Sequence, residues 1–179
     1  MLAVVILFRM HPLDFPISAI GDPLRVSGKF FRSGEQCCFI NAVTWGPFTA
    51  GAFPDEARAE RVRVKTELGA NAIRIYEIPT REFMHECAEQ GLRVFLSIPW
   101  SQHIDFFREP EVLAEAEQTL VETVEKFRGH PALAGYFVGN EIETTLVRWM
   151  GRRRVLEAIE DLIDLVHQHD PDELFSFAN

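Results

Sequence analysis

The sequence predicts an α/β protein whose parallel sheet is part of a (β/α)8 barrel. Apolar, strand-like runs alternate with amphipathic helical segments four times, and a fifth strand-like run follows them. This alternation favours parallel strands joined by right-handed helical crossovers. The polar and aromatic residues collect at the carboxyl ends of the predicted strands, where (β/α)8 barrels build their sites. No glycine-rich phosphate-binding turn follows the first core strand, which argues against an open dinucleotide-binding sheet.

The composition is that of a single globular domain and excludes some classes of partner. The chain has 179 residues, of which 47% are hydrophobic and 25% charged, with a net charge of −9. The negative charge argues against nucleic acid, and the short run Arg152–Arg154 is interpreted as a solvated helix start. The apolar run Leu2–Phe8 is too short to span a bilayer and lacks the flanks of a signal peptide. We therefore expect a soluble, cytoplasmic protein without a membrane or nucleic-acid partner.

The chain divides into a short extension and one domain. Residues 1–25 are interpreted as an N-terminal extension, either an extra strand or a loosely attached segment, and residues 26–179 as a partial barrel domain. We expect a β-hairpin at the start of this domain, because Val26–Phe31 and Gln36–Trp45 flank the turn-like residues Arg32–Glu35.

About four βα units and a fifth strand follow the hairpin. Thr80 is a suitable N-cap and Pro110 a favoured first-turn residue, while Gly69, Gly91 and Gly129 are natural helix stops. The predicted core strands are residues 38–43, 71–76, 93–98, 134–138 and 174–178, and the predicted helices are residues 55–68, 80–91, 110–129 and 152–169.

The cysteines and histidines indicate neither a disulfide framework nor a metal centre. The three cysteines are an odd number, which suits a reducing compartment, and the six histidines form no metal-binding motif. We therefore expect no metal site and no cofactor.

The predicted fourth strand ends in the polar sequence Gly139-Asn140-Glu141. A carboxylic acid beside the apolar walls of a barrel rim can hold a proton and deliver it to a leaving oxygen. The Asn140 amide both donates and accepts hydrogen bonds, which suits a sugar hydroxyl. Glu141 is thus a candidate acid/base, and the alternative is an ordinary solvated carboxylate at a strand end.

Further candidates for substrate binding lie at the same predicted rim. Trp45 and Trp100 are flat apolar surfaces that either stack on sugar rings or pack in the core. Glu77 follows the second strand and His103 lies in the loop after the third, where each either lines the site or braces its loop. Trp149, on the segment that leads into the fourth helix, is interpreted as a packing residue.

Two of these sequences resemble motifs of clan A glycoside hydrolases, a group of TIM-barrel enzymes that includes families 2 and 5. Gly139–Glu141 looks like the Asn-Glu signature at the end of the fourth strand, and Gly69–Arg74 looks like the G-x-N-x-x-R second strand. The resemblance implies a retaining glycosidase in which Glu141 is the general acid/base and Asn140 contacts the sugar 2-hydroxyl. It places Arg74 near the catalytic carboxylates, although Arg74 is also interpretable as a structural ion-pair partner.

The resemblance covers roughly residues 25–179 and extends to one branch of the clan. Several further segments are similar to family-2-type barrels of bacterial proteins: Phe39–Phe48, His130–Ala132, Ile142–Trp149 and Asp170–Asn179. The order of these motifs on successive strands makes the combination more specific than any one of them.

The sequence departs from the clan in one respect. The resemblance implies a nucleophile at the end of a seventh strand, whereas five core strands are predicted, and a retaining mechanism needs two carboxyl groups about 5–5.5 Å apart. We therefore expect a glycoside hydrolase-like, truncated form that is weak or inactive alone and has carbohydrate as its partner.

Three alternatives remain open. The chain is a non-catalytic carbohydrate-binding or regulatory module, or a half-barrel that assembles with another chain. In the second case it forms a homo-oligomer through the exposed edge of its sheet. The third alternative, favoured less, is an unrelated barrel enzyme that uses Glu141 and Glu77 together.

Overall fold

The structure, a computed structural model, describes residues 22–46 and 57–178, with side chains from residue 61 onward in the second range. Most of the predicted extension, residues 1–21, lies outside the described residues, as do Asn179 and the loop 47–56. The described residues form two sheets and a layer of helices.

A small antiparallel sheet precedes the barrel strands. Its strands β1 (Leu24–Ser27), β2 (Phe30–Ser33) and β3 (Gln36–Cys38) lie in the order β1-β2-β3. The small sheet therefore has three strands rather than the two of the expected hairpin. A turn at Gly28, with a φ of +63°, divides the predicted first strand in two. Gly34, with a φ of +55°, supports the second turn, since glycine adopts this conformation without strain.

The main sheet has five parallel strands in chain order. They are β4 (Ala42–Thr44), β5 (Ala72–Ile75), β6 (Arg93–Ser97), β7 (Leu133–Phe137) and β8 (Phe175–Ser176). Every neighbouring pair is parallel, and the spatial order β4-β5-β6-β7-β8 follows the sequence. Successive strands are also neighbours in a (β/α)8 barrel, so the predicted partial TIM barrel is confirmed.

The first core strand begins later than predicted. Cys38 belongs to β3 and pairs with Phe31 of the small sheet, so the main sheet starts at Ala42 rather than at Cys38. The fifth strand is also shorter than predicted, since only Phe175 and Ser176 pair with β7.

The helices connect the parallel strands. They are α1 (Ala57–Leu68), α2 (Arg81–Glu89), α3 (Pro110–Phe127), α4 (Thr144–Met150) and α5 (Arg152–His169). Thr80 is the predicted N-cap of α2, and its hydroxyl oxygen accepts a hydrogen bond from the Phe83 N–H at 3.1 Å. The helix α4 was not predicted. None of the helices in the described residues combines the length and hydrophobicity needed to cross a bilayer.

The core lies between the helices and the outward face of the parallel sheet. The helices α2, α3 and α5 each contribute an apolar face, and the strands contribute alternate residues that are almost fully buried. These core residues include Ile73, Ile75, Val94, Leu96, Tyr136, Val138, Phe83, Met84, Cys87, Leu120, Val124, Phe127, Val155, Ile159, Leu162 and Val166. Their removal from water supplies the main stabilisation of the fold.

Arg93 attaches the small sheet to the amino end of the barrel strands. Its side chain is buried at the start of β6, where Nη2 donates to the Asp22 carbonyl at 2.7 Å and to the Ser33 hydroxyl at 2.9 Å. Nη1 donates to the Leu133 carbonyl at the start of β7. The small sheet therefore lies at the end opposite the carboxyl-terminal rim, which leaves that rim uncovered by it.

Candidate functional site

One guanidinium connects three neighbouring strand ends at the carboxyl-terminal rim. Arg74 is the third residue of β5, and its Nε donates to the Ser97 hydroxyl, on the last residue of β6, at 2.7 Å. Its Nη2 donates to Asn140 Oδ1, three residues beyond β7, at 3.0 Å. The parallel arrangement brings these residues together, because all three strands end on the same side of the sheet.

Arg74 is held between aromatic rings. Its guanidinium carbon lies 4.1 Å from the centroid of the Phe137 ring and 4.8 Å from that of Tyr76. Burial lowers the pKa of Arg74, while electrostatic interactions with Tyr76 and Glu141 oppose this effect. Arginine stays charged at neutral pH even when its pKa is lowered moderately. The rim therefore carries a fixed positive charge close to Glu141.

The loop after β6 holds the end of β7 at two points. The indole Nε1 of Trp100 donates to the Val138 carbonyl at 2.8 Å. The Asn140 backbone N–H donates to Gln102 Oε1, also at 2.8 Å, and Gln102 is only 5% exposed. We call residues 98–109 the β6–α3 loop. Its two hydrogen bonds fix the backbone that presents Asn140 and Glu141.

Gly139 is required by the tight packing at this point. A Cβ atom at residue 139 would lie 2.6 Å from Gln102 Oε1 and 2.7 Å from the Phe177 ring. Such distances are shorter than van der Waals contact, so a side chain would displace either the loop or Phe177. The glycine of the Gly-Asn-Glu sequence thus has a packing role.

Glu141 is exposed at the rim, directly after the fixed Asn140. The sequence led us to expect apolar walls around this carboxylate, but the Glu141 side chain is open to solvent, although Gly139 and Ile142 beside it are buried. Glu141 is close enough to Arg74 to affect its pKa, although no ion pair forms between them within 4 Å among the described residues. The carboxylate is therefore accessible to a ligand from solvent.

The remaining candidates occupy different environments. Trp45 is 7% exposed and stacks on Phe83 in the core, with ring centroids 5.6 Å apart, which favours the packing interpretation. Trp100 is half-buried and meets Phe106 edge to face. Glu77 is half-buried after β5, whereas His103 is exposed in the β6–α3 loop. Within the described residues, neither Glu77 nor His103 bonds to Arg74 or Asn140.

Two residues of the network were missed by sequence reasoning. Ser97 is a polar residue at the end of a predicted strand, which is a signal that could have identified it. Gln102 had no such signal, because its contact depends on how the β6–α3 loop folds over β7. In the described parts of the chain, no three His, Cys, Asp or Glu side chains converge as metal ligands would.

A separate cavity of about 240 Å³ opens between α3 and α5. It is lined by Phe107, Leu113, Glu117, Arg154, Glu157, Ala158, Asp161 and Leu162. None of these residues belongs to the group around Arg74 and Asn140, so the cavity is not part of the rim site.

Comparison with known proteins finds two curated relatives, although no protein-family model matches the chain. A β-galactosidase from Thermoanaerobacter pseudethanolicus is 33% identical over 113 residues, which cover 61% of this chain and 15% of that protein. The 1,3-β-glucanosyltransferase gas4 from Schizosaccharomyces pombe is 24% identical over 161 residues, which cover 80% of this chain and 35% of that protein.

Solved structures show the same fold. A β-glucuronidase from Ruminococcus gnavus, in complex with D-glucuronic acid, superposes with a TM-score of 0.71 at 14% identity. A β-glucuronidase from an uncultured Clostridium species gives the same TM-score and identity. These matches cover 87% of this chain but only 27% and 28% of the two solved chains.

The chain thus spans roughly a seventh to a third of the length of the relatives that it matches. Its match to the TIM barrel of clan A glycoside hydrolases is a partial one, and the resemblance that the sequence motifs indicated is confirmed to that extent.

Proposed function

We propose that this chain carries the acid/base half of a retaining glycoside hydrolase site, with Glu141 as the general acid/base. The observation that carries the proposal is the hydrogen bond from Arg74 to Asn140, the residue directly before Glu141. Arg74 has donors only, so it binds the amide oxygen of Asn140 and leaves the Asn140 NH2 group to meet a ligand. An amide donor beside an accessible carboxylate suits a sugar hydroxyl and the neighbouring glycosidic oxygen.

The proposed chemistry uses Glu141 twice. Its carboxyl proton moves to the glycosidic oxygen as the bond from that oxygen to the anomeric carbon breaks, while a second carboxylate attacks the anomeric carbon. The Glu141 carboxylate then takes a proton from water, and the resulting hydroxide oxygen displaces the second carboxylate and releases the sugar.

The second carboxylate is proposed to come from outside the described residues. Among the described residues, the side-chain partners of Arg74 at the rim are Ser97 and Asn140, and neither is an acid. We therefore expect the 179-residue chain to hydrolyse glycosides weakly or not at all by itself. The names of the relatives, a β-galactosidase, a β-glucanosyltransferase and β-glucuronidases, support a β-linked glycoside as the substrate class.

The test is an assay of the purified chain with aryl β-D-galactoside, β-D-glucoside and β-D-glucuronide. Robust turnover by the chain alone would overturn the expected weakness. Any residual turnover should be lost in Glu141→Gln and kept in Glu143→Gln, the exposed matched control two residues away. Turnover that survives Glu141→Gln would remove Glu141 from the acid/base role.

A non-catalytic carbohydrate-binding module is the second candidate function. The exposure of Glu141 favours it, because an acid/base is usually enclosed by the substrate cleft, whereas a binding surface is open. Sugar binding measured by calorimetry that survives Glu141→Gln, without turnover of any aryl glycoside, would favour this candidate over the first.

Assembly with another chain is the remaining proposal, and it concerns the sheet edges. Within the described residues β4 and β8 are the two ends of the parallel sheet, and each pairs on one side only. Unpaired edges favour strand pairing with a second chain. Sedimentation should then show a dimer or larger species, and a monodisperse monomer at micromolar concentration would contradict obligatory assembly.

A further inference from the structure

Trp149 presents an exposed indole near the rim. Its side chain on α4 is 68% exposed, so the packing role expected from the sequence is wrong. Its Nε1 donates to Asp105 Oδ2 at 3.0 Å, which links α4 to the β6–α3 loop. An exposed tryptophan whose polar edge is held by a hydrogen bond has a defined orientation, unlike one that rotates freely in solvent.

A second side chain supports the ring. The Arg108 guanidinium carbon lies 5.6 Å from the centroid of the Trp149 ring, and Arg108 Nε lies 3.5 Å from Asp105 Oδ2. Asp105 thus holds both the indole edge and the guanidinium that lies over the ring. Because the guanidinium can cover only one face, the large exposure of Trp149 means that its other face is open to solvent.

The platform formed by Trp149, Asp105 and Arg108 lies on the same side of the sheet as the Arg74–Asn140 network. The helix α4 begins three residues after Glu141, and the five residues from Thr144 to Trp149 advance about 7.5 Å along the helix axis. Asp105 and Arg108 belong to the loop whose Gln102 binds the Asn140 backbone. A ligand that extends beyond Glu141 therefore has this platform within reach.

We propose that the open face of Trp149 stacks on a sugar ring and forms a second subsite for the part of a β-linked oligosaccharide beyond the bond that faces Glu141. The inference rests on the proposed function of Glu141 and Asn140. Pyranose rings carry C–H bonds on one face, which pack on an indole, and hydroxyls at their edges, which can accept hydrogen bonds from a guanidinium such as that of Arg108.

The surroundings favour a sugar over a protein partner. On α4 and the β6–α3 loop, the only other exposed large apolar side chain is that of Ile104. Protein-binding surfaces usually present a contiguous apolar patch, whereas here one ring stands among charged, hydrogen-bonding groups. This mixture of a flat apolar surface and polar groups matches the surface of a carbohydrate.

Nuclear magnetic resonance of the ¹⁵N-labelled full chain tests the platform directly. The chain has three tryptophans, Trp45, Trp100 and Trp149, so three indole N–H signals are expected, and Trp149→Phe identifies one by its disappearance. Titration with lactose and laminaribiose should shift the Trp149 indole signal and leave that of the buried Trp45 unchanged. Trp149→Ala should weaken disaccharide binding about tenfold, whereas Trp149→Phe, which keeps a flat ring, should retain most of the affinity.

The outcomes separate this inference from the proposed function. In one outcome, the Asn140 and Glu141 amide signals respond to a disaccharide but the Trp149 indole signal does not, and Trp149→Ala binds the disaccharide as tightly as the unmodified chain. The platform is then overturned and the proposed function stands. If the Trp149 signal responds alone, the platform is supported and the proposed role of Asn140 and Glu141 loses its basis. If none of these signals responds to either disaccharide, both are overturned.

Discussion

Arg74 and Asn140 are joined side chain to side chain across β6, with Arg74 Nη2 donating to Asn140 Oδ1 at 3.0 Å. The bond fixes the orientation of the amide, because a guanidinium has no acceptor and can meet only the oxygen of Asn140. Among the described residues, the Asn140 side-chain nitrogen has no hydrogen-bond acceptor. Arg74 therefore presents the donor end of Asn140 to the rim, next to Glu141.

Replacing Arg74 with lysine tests the importance of the planar guanidinium. Lysine keeps the charge but lacks the fork that reaches Ser97 and Asn140 together, so we expect Arg74→Lys to lower the free energy of unfolding by about 1–3 kcal/mol. The matched control is Arg153→Lys on the exposed face of α5, which should change stability by no more than about 0.5 kcal/mol. Urea unfolding measures both, and equal stabilities would contradict the proposed network.

Gln102 is expected to position the backbone of Asn140. In Gln102→Ala the Asn140 N–H loses its acceptor in a partly buried environment, which should cost about 1–3 kcal/mol of stability. The adjacent, exposed His103 provides the control, since His103→Ala removes no described hydrogen bond. Hydrogen exchange at the Asn140 amide should accelerate in the first variant only. Unchanged exchange in Gln102→Ala would show that the loop does not hold this segment.

Gly139→Ala should destabilise the chain by about 1–3 kcal/mol, because the new methyl group would overlap with Gln102 Oε1 and the Phe177 ring. Removal of Gln102 eliminates one of these two clashes. The double variant Gly139→Ala/Gln102→Ala should therefore lose less stability than the sum of the single losses, as a double-mutant cycle by urea unfolding will measure. Strict additivity would mean that the methyl group does not press on Gln102.

Much of the fold was predictable because its helices carry strong local signals. The predicted bounds of α5 match the structure at both ends, and α3 begins at the predicted Pro110. The small sheet was underestimated because the turn at Gly28 interrupts a stretch that is otherwise strand-like. The helix α4 was missed because it is short and only Met150 is buried in it, so its sequence shows little apolar periodicity.

The candidate site was predictable only in part. The sequence indicates that Arg74 and Asn140 lie at strand ends, and in the structure they are in contact. Gln102 was missed because its contact with Asn140 is set by the path of a loop, which is a tertiary property. The opposite environments of Trp45 and Trp149, one buried and one exposed, were also undecidable from residue type, since tryptophan occurs in both.

Glu173 lies in the turn before β8 and is half-buried. The Leu174 N–H donates to its Oε1 at 3.2 Å. Burial raises the pKa of Glu173 from 4.5 to about 7, although this hydrogen bond and the charge of Arg93 lower it in part. The folded state therefore holds a proton on Glu173 between pH 4.5 and about 7, where the unfolded chain has released it.

Stability should accordingly fall as pH rises through this window, because the contribution of protonated Glu173 is complete below pH 4.5 and is lost above the folded-state pKa of about 7. Glu173→Gln mimics the neutral acid at every pH and retains an acceptor for Leu174. The free energy of unfolding of Glu173→Gln should thus exceed that of the unmodified chain by near zero at pH 4.5 and by as much as about 3 kcal/mol at pH 8.

Burial lowers the pKa of His130, so this residue acts in the opposite direction and removes stability as pH falls below 6.5. Subtracting the unfolding free energies of two proteins that both retain His130 cancels its effect and isolates that of Glu173. Glu160→Gln, at an exposed position of α5, is the control. Its free energy of unfolding should differ from that of the unmodified chain by the same amount at every pH. A flat difference for Glu173→Gln as well, in urea unfolding from pH 4.5 to 8, would show that folding leaves the pKa of Glu173 unshifted.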